Sequence, residues 1–249
     1  MPITSTRLRW SAGIAAALAL VLVSACGDVK VAAEPKLPPA LITQLPLTVG
    51  VYYGEHFRTY VHREDRWGAG YDINLGPGHV HLVDRLFKLE FKRTVPVENL
   101  GALPKNPPYT VILEPRIERY SFLTARDTGG KYFAVTIDYR LILYNVQGER
   151  IDSLTFVGYG SDASSGMTTK TPLEAATQAA MRDAAAKFLV QFPEQATVKK
   201  LVAGEVVPPL GAAPTAVAGA DKASGAIEVV PIEERQPDPA PATPQKGGV

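Results

Sequence analysis

Cysteine is nearly missing from this chain: its 249 residues hold one, Cys26, so an intrachain disulfide is excluded. That shortage does not argue against an oxidising compartment, because a domain of ordinary size is held by its core and needs no covalent staples. An excess of charge is missing as well. Lys and Arg number 26 against 25 Asp and Glu, a formal net charge of +1, which excludes the basic surplus of a general nucleic-acid binder. Internal repeats are absent. Catalytic motifs are lacking too. Gly76-Pro77-Gly78 precedes a helical pattern, yet Pro77 removes one donor N–H and no Lys-Ser/Thr follows, so it reads as a helix start and not as an anion-binding loop. Asp162-Ala163-Ser164-Ser165-Gly166 lacks the spacing of a nucleophile elbow and leads into polar loop. His79 and His81, two apart, diverge by about 200° around a helix and cannot clamp one metal ion. His56 and His62 have no plausible third ligand. No catalytic residue, metal or cofactor is expected.

What is present is one long apolar stretch, Ser11 to Val23, following Arg7 and Arg9 and ending in Ser24-Ala25-Cys26. Its length suits a secretory h-region and falls short of a membrane span. Small side chains at 24 and 25 let an extended segment enter a peptidase cleft, and the thiol directly after them can be alkylated. This spacing resembles the lipobox of bacterial lipoproteins. The resemblance implies residues 1–25 as a signal peptide, diacylation of the Cys26 sulfur and cleavage between Ala25 and Cys26. In that family an Asp directly after the lipidated Cys signals inner-membrane retention. Here Gly27 takes that place and Asp28 follows, so the implied location is the outer membrane facing the periplasm, with the inner membrane as the alternative. At about 0.8 kcal/mol per buried CH₂, two or three acyl chains on one residue hold a protein on a bilayer indefinitely.

Composition divides the remainder. Residues 26–44 are the lipidated Cys and a Pro-rich stretch that reads as an extended tether. Residues 203–249 are Ala-, Pro- and Gly-rich without an aromatic residue, and read as a disordered tail. Within that tail Ile227-Glu228-Val229-Val230-Pro231-Ile232 is a short β-prone island. Residues 45–202 carry the core. Leu47 to Tyr53 is a first strand, bounded by Pro46 and Gly54. Glu55 to Leu75 has no clean period and is expected to be a long ordered loop, with a short strand at most at Tyr71 to Leu75. His79 to Phe91 is an amphipathic helix whose apolar arc contains one charged residue, Glu90.

A strand at Tyr109 to Glu114 continues past Pro115 to Thr124. Asp127 to Gly130 supplies a turn into Lys131 to Asn145, where Phe133, Val135, Ile137, Tyr139, Leu141 and Leu143 share one face at period two. Gln147-Gly148 turns the chain into a hairpin partner, Arg150 to Gly160. Thr171-Pro172-Leu173-Glu174 reads as a capping box for a last helix ending at Phe192 before Pro193. Its ridge of Ala176, Ala180, Ala184, Phe188 and Phe192 should lie on the Phe133 to Leu143 face. The fold class is α+β, a two-layer sandwich of mostly antiparallel sheet covered by two helices.

One segment could bind. Tyr53, Phe57, Arg58, Tyr60, Arg66 and Trp67 interleave rings with guanidinium groups, a combination that suits a glycan, a lipid phosphate or a peptide. The same rings could instead plug the end of the sandwich. Beyond the lipobox, the Pro46 to Tyr53 strand, the Arg/Tyr-rich segment, Gly148-Glu149-Arg150-Ile151 and the Ala-rich last helix are similar to YajG-like, curli-secretion-like and transport-auxiliary lipoproteins. That resemblance implies a domain that binds or assembles rather than catalyses. The implied role is a non-enzymatic accessory or adaptor subunit of an envelope assembly or transport system, with envelope proteins and the membrane as partners. A peptidoglycan- or glycolipid-binding module is the alternative.

Overall fold

The computed structural model describes residues 28–35, 42–164 and 168–211. The signal segment, Cys26 and the island at 227–232 lie outside them. Strands and helices are numbered here in chain order. The platform is a five-stranded sheet with spatial order β5 (Phe91–Val97), β2 (Leu45–Tyr52), β6 (Val111–Leu123), β7 (Tyr132–Tyr144) and β8 (Arg150–Ala163). The β5-β2-β6 part is parallel, and β6-β7-β8 is a long antiparallel meander. The α+β class expected from the sequence holds, with sheets that are mixed.

Pro115 sits inside β6 because β2 pairs only with Val111 to Leu113. Beyond that point the β2 side of β6 is an edge, where a missing N–H leaves no ladder bond unmade. Period two in β7 works as read: Phe133, Val135, Ile137, Leu141 and Leu143 are buried on one face. Over β8 and the adjoining β7 lies α3 (Lys170–Gln191). Its Ala-rich ridge reaches the sheet because β8 presents Gly158 and Gly160 to it. A Cβ on Gly158 would stand 2.2 Å from the Ala180 carbonyl oxygen, and one on Gly160 would stand 2.1 Å from that of Ala176. Phe188 and Phe192 then peg the far end, packing on Phe156, Phe87 and Phe91.

Several expectations are corrected. The stretch from Glu55 to Leu75 is not a loop. It holds a one-turn helix, α1 (Glu55–Arg58), and a hairpin of β3 (Val61–Arg66) and β4 (Ala69–Asn74) joined by Trp67-Gly68. Both turn residues have positive φ, +56° and +79°, as a tight two-residue hairpin turn requires. Part of the expected tether is also a strand, β1 (Val29–Ala32), which pairs in parallel with β4 and buries Val31 and Ala33. The three strands form a second sheet in the order β1-β4-β3.

The amphipathic helix, α2 (Gly76–Glu90), starts three residues earlier than its apolar period indicated. Pro77 fits the first turn, where no N–H is needed, and the flanking glycines let the helix start press on the carbonyls of Arg58 and Ala33. Phe91, expected in this helix, instead opens β5, which the sequence reading did not contain. The capping box at Thr171 does not form: the helix begins at Lys170, with Thr169 at the cap and no side-chain cap bond. A short α4 (Ala196–Val202) follows Pro193, and the chain stays with the domain to Leu210, whose N–H donates to the Arg150 carbonyl.

Among the described residues no helix is long and apolar enough to cross a membrane. The layers are therefore the large sheet on one side and, on its other side, α2, α3 and the small sheet. Tyr120 and Phe122 of β6 face the small sheet through His62 and Tyr71.

Candidate functional site

The six residues singled out from the sequence fall into two groups. Tyr53, Phe57, Arg58 and Tyr60 surround α1. Phe57 is buried, stacks on Tyr53 at 5.8 Å and meets the His79 ring edge-on at 6.1 Å. Tyr53 donates its hydroxyl to Asp84 of α2 at 2.7 Å, and burial together with that carboxylate pushes its pKa up. Tyr60 is half-buried, and its carbonyl accepts the N–H groups of Leu75 and Gly76. Arg58 is the exposed member of this group. These rings close one region of the layer between sheet and helices, which is the plug alternative for this half of the set.

Arg66 and Trp67 lie elsewhere, at the tip of the β3–β4 hairpin, and meet the turn between β6 and β7. Asp127 organises the junction. It accepts from the Arg66 guanidinium at 3.0 Å, the Trp67 indole N–H at 3.0 Å, and the Thr124 backbone N–H and hydroxyl at 2.8 and 2.7 Å. Partial burial pushes the Asp127 carboxyl up, but these four donors outweigh it and bring its pKa down to about 2. Arg66 also pairs with Glu64 and lies 4.8 Å from the Phe122 ring centroid, while Arg126 stacks on Trp67 at 4.6 Å. Asp127 was not singled out from the sequence. Its place between Arg126 and the Thr128-Gly129-Gly130 turn was the available signal.

Two buried ionisable groups sit on α2. His79 is fully enclosed: its Nδ1 meets the Leu75 carbonyl at 2.7 Å and its Nε2 meets the Tyr139 hydroxyl at 2.7 Å. A carbonyl only accepts, so Nδ1 carries the proton and Nε2 accepts from Tyr139. Burial drives the ring's pKa down to about 4, with the Leu75 carbonyl countering only part of this. Glu90, the charged residue in the apolar arc, is buried with no hydrogen-bond partner for Oε1, and burial raises its pKa to about 7. Beside His79 a narrow apolar cleft of about 60 Å³ separates α2 from α3 over Tyr139, lined by Leu86, Phe87, Met181 and Phe188.

His81 lies exposed on the side of α2 away from His79, and His62 pairs with Glu64. Among the described residues no group of three His, Cys, Asp or Glu side chains is placed to hold a metal ion. Ser164 follows β8 and donates its backbone N–H to the Lys131 carbonyl. The outer edge of β8 is covered from α3: Asp183 accepts the Tyr159 N–H at 2.9 Å, and Lys187 donates to the Val157 carbonyl at 2.7 Å. Two ladder groups in the middle of this edge are thus occupied by side chains.

No family model matches this chain, and no curated protein matches it. Solved structures do resemble it in outline. A Xanthomonas campestris protein of the DUF330 family aligns at 15% identity over 66% of this chain and 94% of its own, with a TM-score of 0.40. A Caulobacter crescentus lipoprotein candidate aligns at 12% identity over 51% of this chain and 84% of its own, with a TM-score of 0.33. A Helicobacter pylori protein described as a candidate homolog of the neuraminyllactose-binding hemagglutinin aligns at 8% identity over 68% and 96%, with a TM-score of 0.42. These are likenesses of outline and carry no function to this chain.

Proposed function

We propose that this protein is a lipid-anchored, non-enzymatic component of a bacterial cell envelope, serving as an accessory or adaptor subunit of an assembly or transport system. The observation that carries the reading is the sequence Leu22-Val23-Ser24-Ala25-Cys26 at the end of a secretory-length apolar run, with Cys26 the one cysteine of the chain. The fold is compatible with it: β1, the first described strand, begins at Val29, three residues after Cys26. The engaged ionisable groups of the domain agree with it as well: His79 of α2 bonds Tyr139 of β7, Asp127 accepts from Arg66 and Trp67 of the hairpin, and Glu114 of β6 accepts from the Tyr144 hydroxyl of β7, contacts that tie elements to one another. Gly27 after the modified residue favours the outer membrane.

Metabolic labelling with a fatty acid, compared between the wild type and Cys26→Ser, tests the anchor. Label on the first and none on the second is expected, and an unlabelled wild type refutes the reading. Cross-linking in cells, followed by identification of captured envelope proteins, tests the adaptor role. Binding to isolated peptidoglycan or lipopolysaccharide with no protein captured would replace it with the glycan-binding alternative.

A further inference from the structure

Two trans peptide units separate Cys26 from Asp28, so their Cα atoms are at most about 8 Å apart. The parallel register of β1 on β4, with Val29 opposite Tyr71, sets Asp28 level with Gly70. A Cβ on Gly70 would lie 2.7 Å from the Asp28 carboxylate. Gly70 is three residues from Trp67, so Asp28, two residues after Cys26 in the sequence, lies beside the tip of the β3–β4 hairpin. Asp127 fastens that tip to the β6–β7 turn. This one end of the molecule also carries three of its exposed large apolar side chains: Trp67 is 56% exposed, Leu123 46% and Tyr132 40%. Leu123 and Tyr132 lie next to one another on the sheet face away from the helices, since Leu123 pairs with Ala134. Arg126, stacked on Trp67, and Lys131 are exposed beside them.

We infer that this end is a membrane-docking face, on which Trp67, Tyr132 and Leu123 enter the interfacial region of the same phospholipid bilayer that holds the Cys26 lipid; the inference rests on the anchor proposed above. Indole and phenol rings settle at the headgroup level because one edge is apolar and the other is a hydrogen-bonding group. Arg126 and Lys131 stand where phosphate oxygens would be. Asp28 and Asp65 bring carboxylates to the same end, while Glu64 and Asp127 are paired with Arg66. Ring insertion is therefore the main attraction, and docking depends only modestly on anionic lipid. The domain lies directly on the bilayer, its hairpin end down, instead of swinging on a tether.

The chain supplies its own probe. It contains Trp10 and Trp67, and a mature protein beginning at Cys26 keeps only Trp67. Cys26, the one thiol, can be coupled to a maleimide phospholipid, which anchors the mature protein whether or not cells acylate it. In vesicles of three parts phosphatidylethanolamine to one part phosphatidylglycerol, replacing the host lipid by its brominated analogue should lower Trp67 emission at least twofold. Quenching by aqueous iodide should fall severalfold relative to the unanchored Cys26→Ser protein. The control is Trp67→Phe with Val190→Trp. Val190 is 71% exposed and lies twenty residues, about 30 Å of helix, along α3 from its start near the docking end. Its emission should ignore brominated lipid. Trp67 emission unaffected by brominated lipid in the anchored protein overturns the inference, and does so independently of whether cells lipidate Cys26.

Discussion

His79 and Glu90 lie on one helix, and their titrations oppose each other. In the unfolded chain the imidazole titrates near 6.5; in the native protein burial holds it to about 4. Between those values the unfolded state binds a proton that the native state refuses, so stability is full above pH 6.5 and falls as pH drops toward 4. At about 1.36 kcal/mol per unit, the whole loss is about 3 kcal/mol. Glu90 runs the other way. Its native pKa of about 7 exceeds the unfolded value of 4.5, so its contribution is present below 4.5 and is lost as pH rises through 7. The wild type should therefore show a shallow pH dependence across this window. Urea unfolding of Glu90→Gln from pH 6.5 to 4.5 should expose the His79 slope, a loss of about 1.4 kcal/mol per unit of acidification. Adding His79→Gln lowers stability at every pH, because Tyr139 and Leu75 lose their partner, but it should remove that slope. A slope that survives His79→Gln would falsify the assignment of a buried neutral imidazole.

The remaining structural predictions concern packing, the junction and the edge. Gly160→Ala places a methyl where the Ala176 carbonyl already sits, so α3 must lift from β8, and a loss of about 3 kcal/mol in denaturant unfolding is expected; a change under 1 kcal/mol would mean the helix rides higher than described. Asp127→Ala strips four donors of their acceptor and should cost about 2 kcal/mol while raising the mobility of Trp67, read by fluorescence anisotropy of the mature chain. Asp183→Ala with Lys187→Ala bares the middle of the β8 edge. Little loss of melting temperature but clear self-association in sedimentation velocity is expected, and a monodisperse double variant would show that the edge needs no guard.

The sequence made the meander and the last helix legible because their signals are strong and local. β7 alternates cleanly over a buried face, and the ridge of Ala with terminal Phe gives α3 its packing side. The small sheet was hidden for a physical reason. Its hairpin is charged on both arms, from His62 to Arg66 and at Asp72, and it turns through Trp67-Gly68 with no Asn-Gly or Asp-Gly to announce it. β1 and β5 were illegible because each is specified by a partner distant in sequence, and β5 begins without any intervening loop where α2 ends. The capping box failed because Thr169, two residues earlier, takes the cap position.

The candidate site was legible as a set of residue types and not as a surface. The interleaving of rings and Arg side chains is real, but the hairpin carries Arg66 and Trp67 to one end of the domain while α1 turns Phe57 into the core. Spacing along a segment assumed to be a loop could not show that division. Nor could it show that β1 brings the N-terminal end of the domain alongside Trp67.

Mass spectrometry of the N-terminal peptide of the mature protein, purified from cell membranes, bears most directly on the whole account. A peptide beginning at Cys26 and carrying a diacylglyceryl group is the predicted result. A peptide with a bare thiol, recovered from protein that fractionates with the soluble extract, contradicts it.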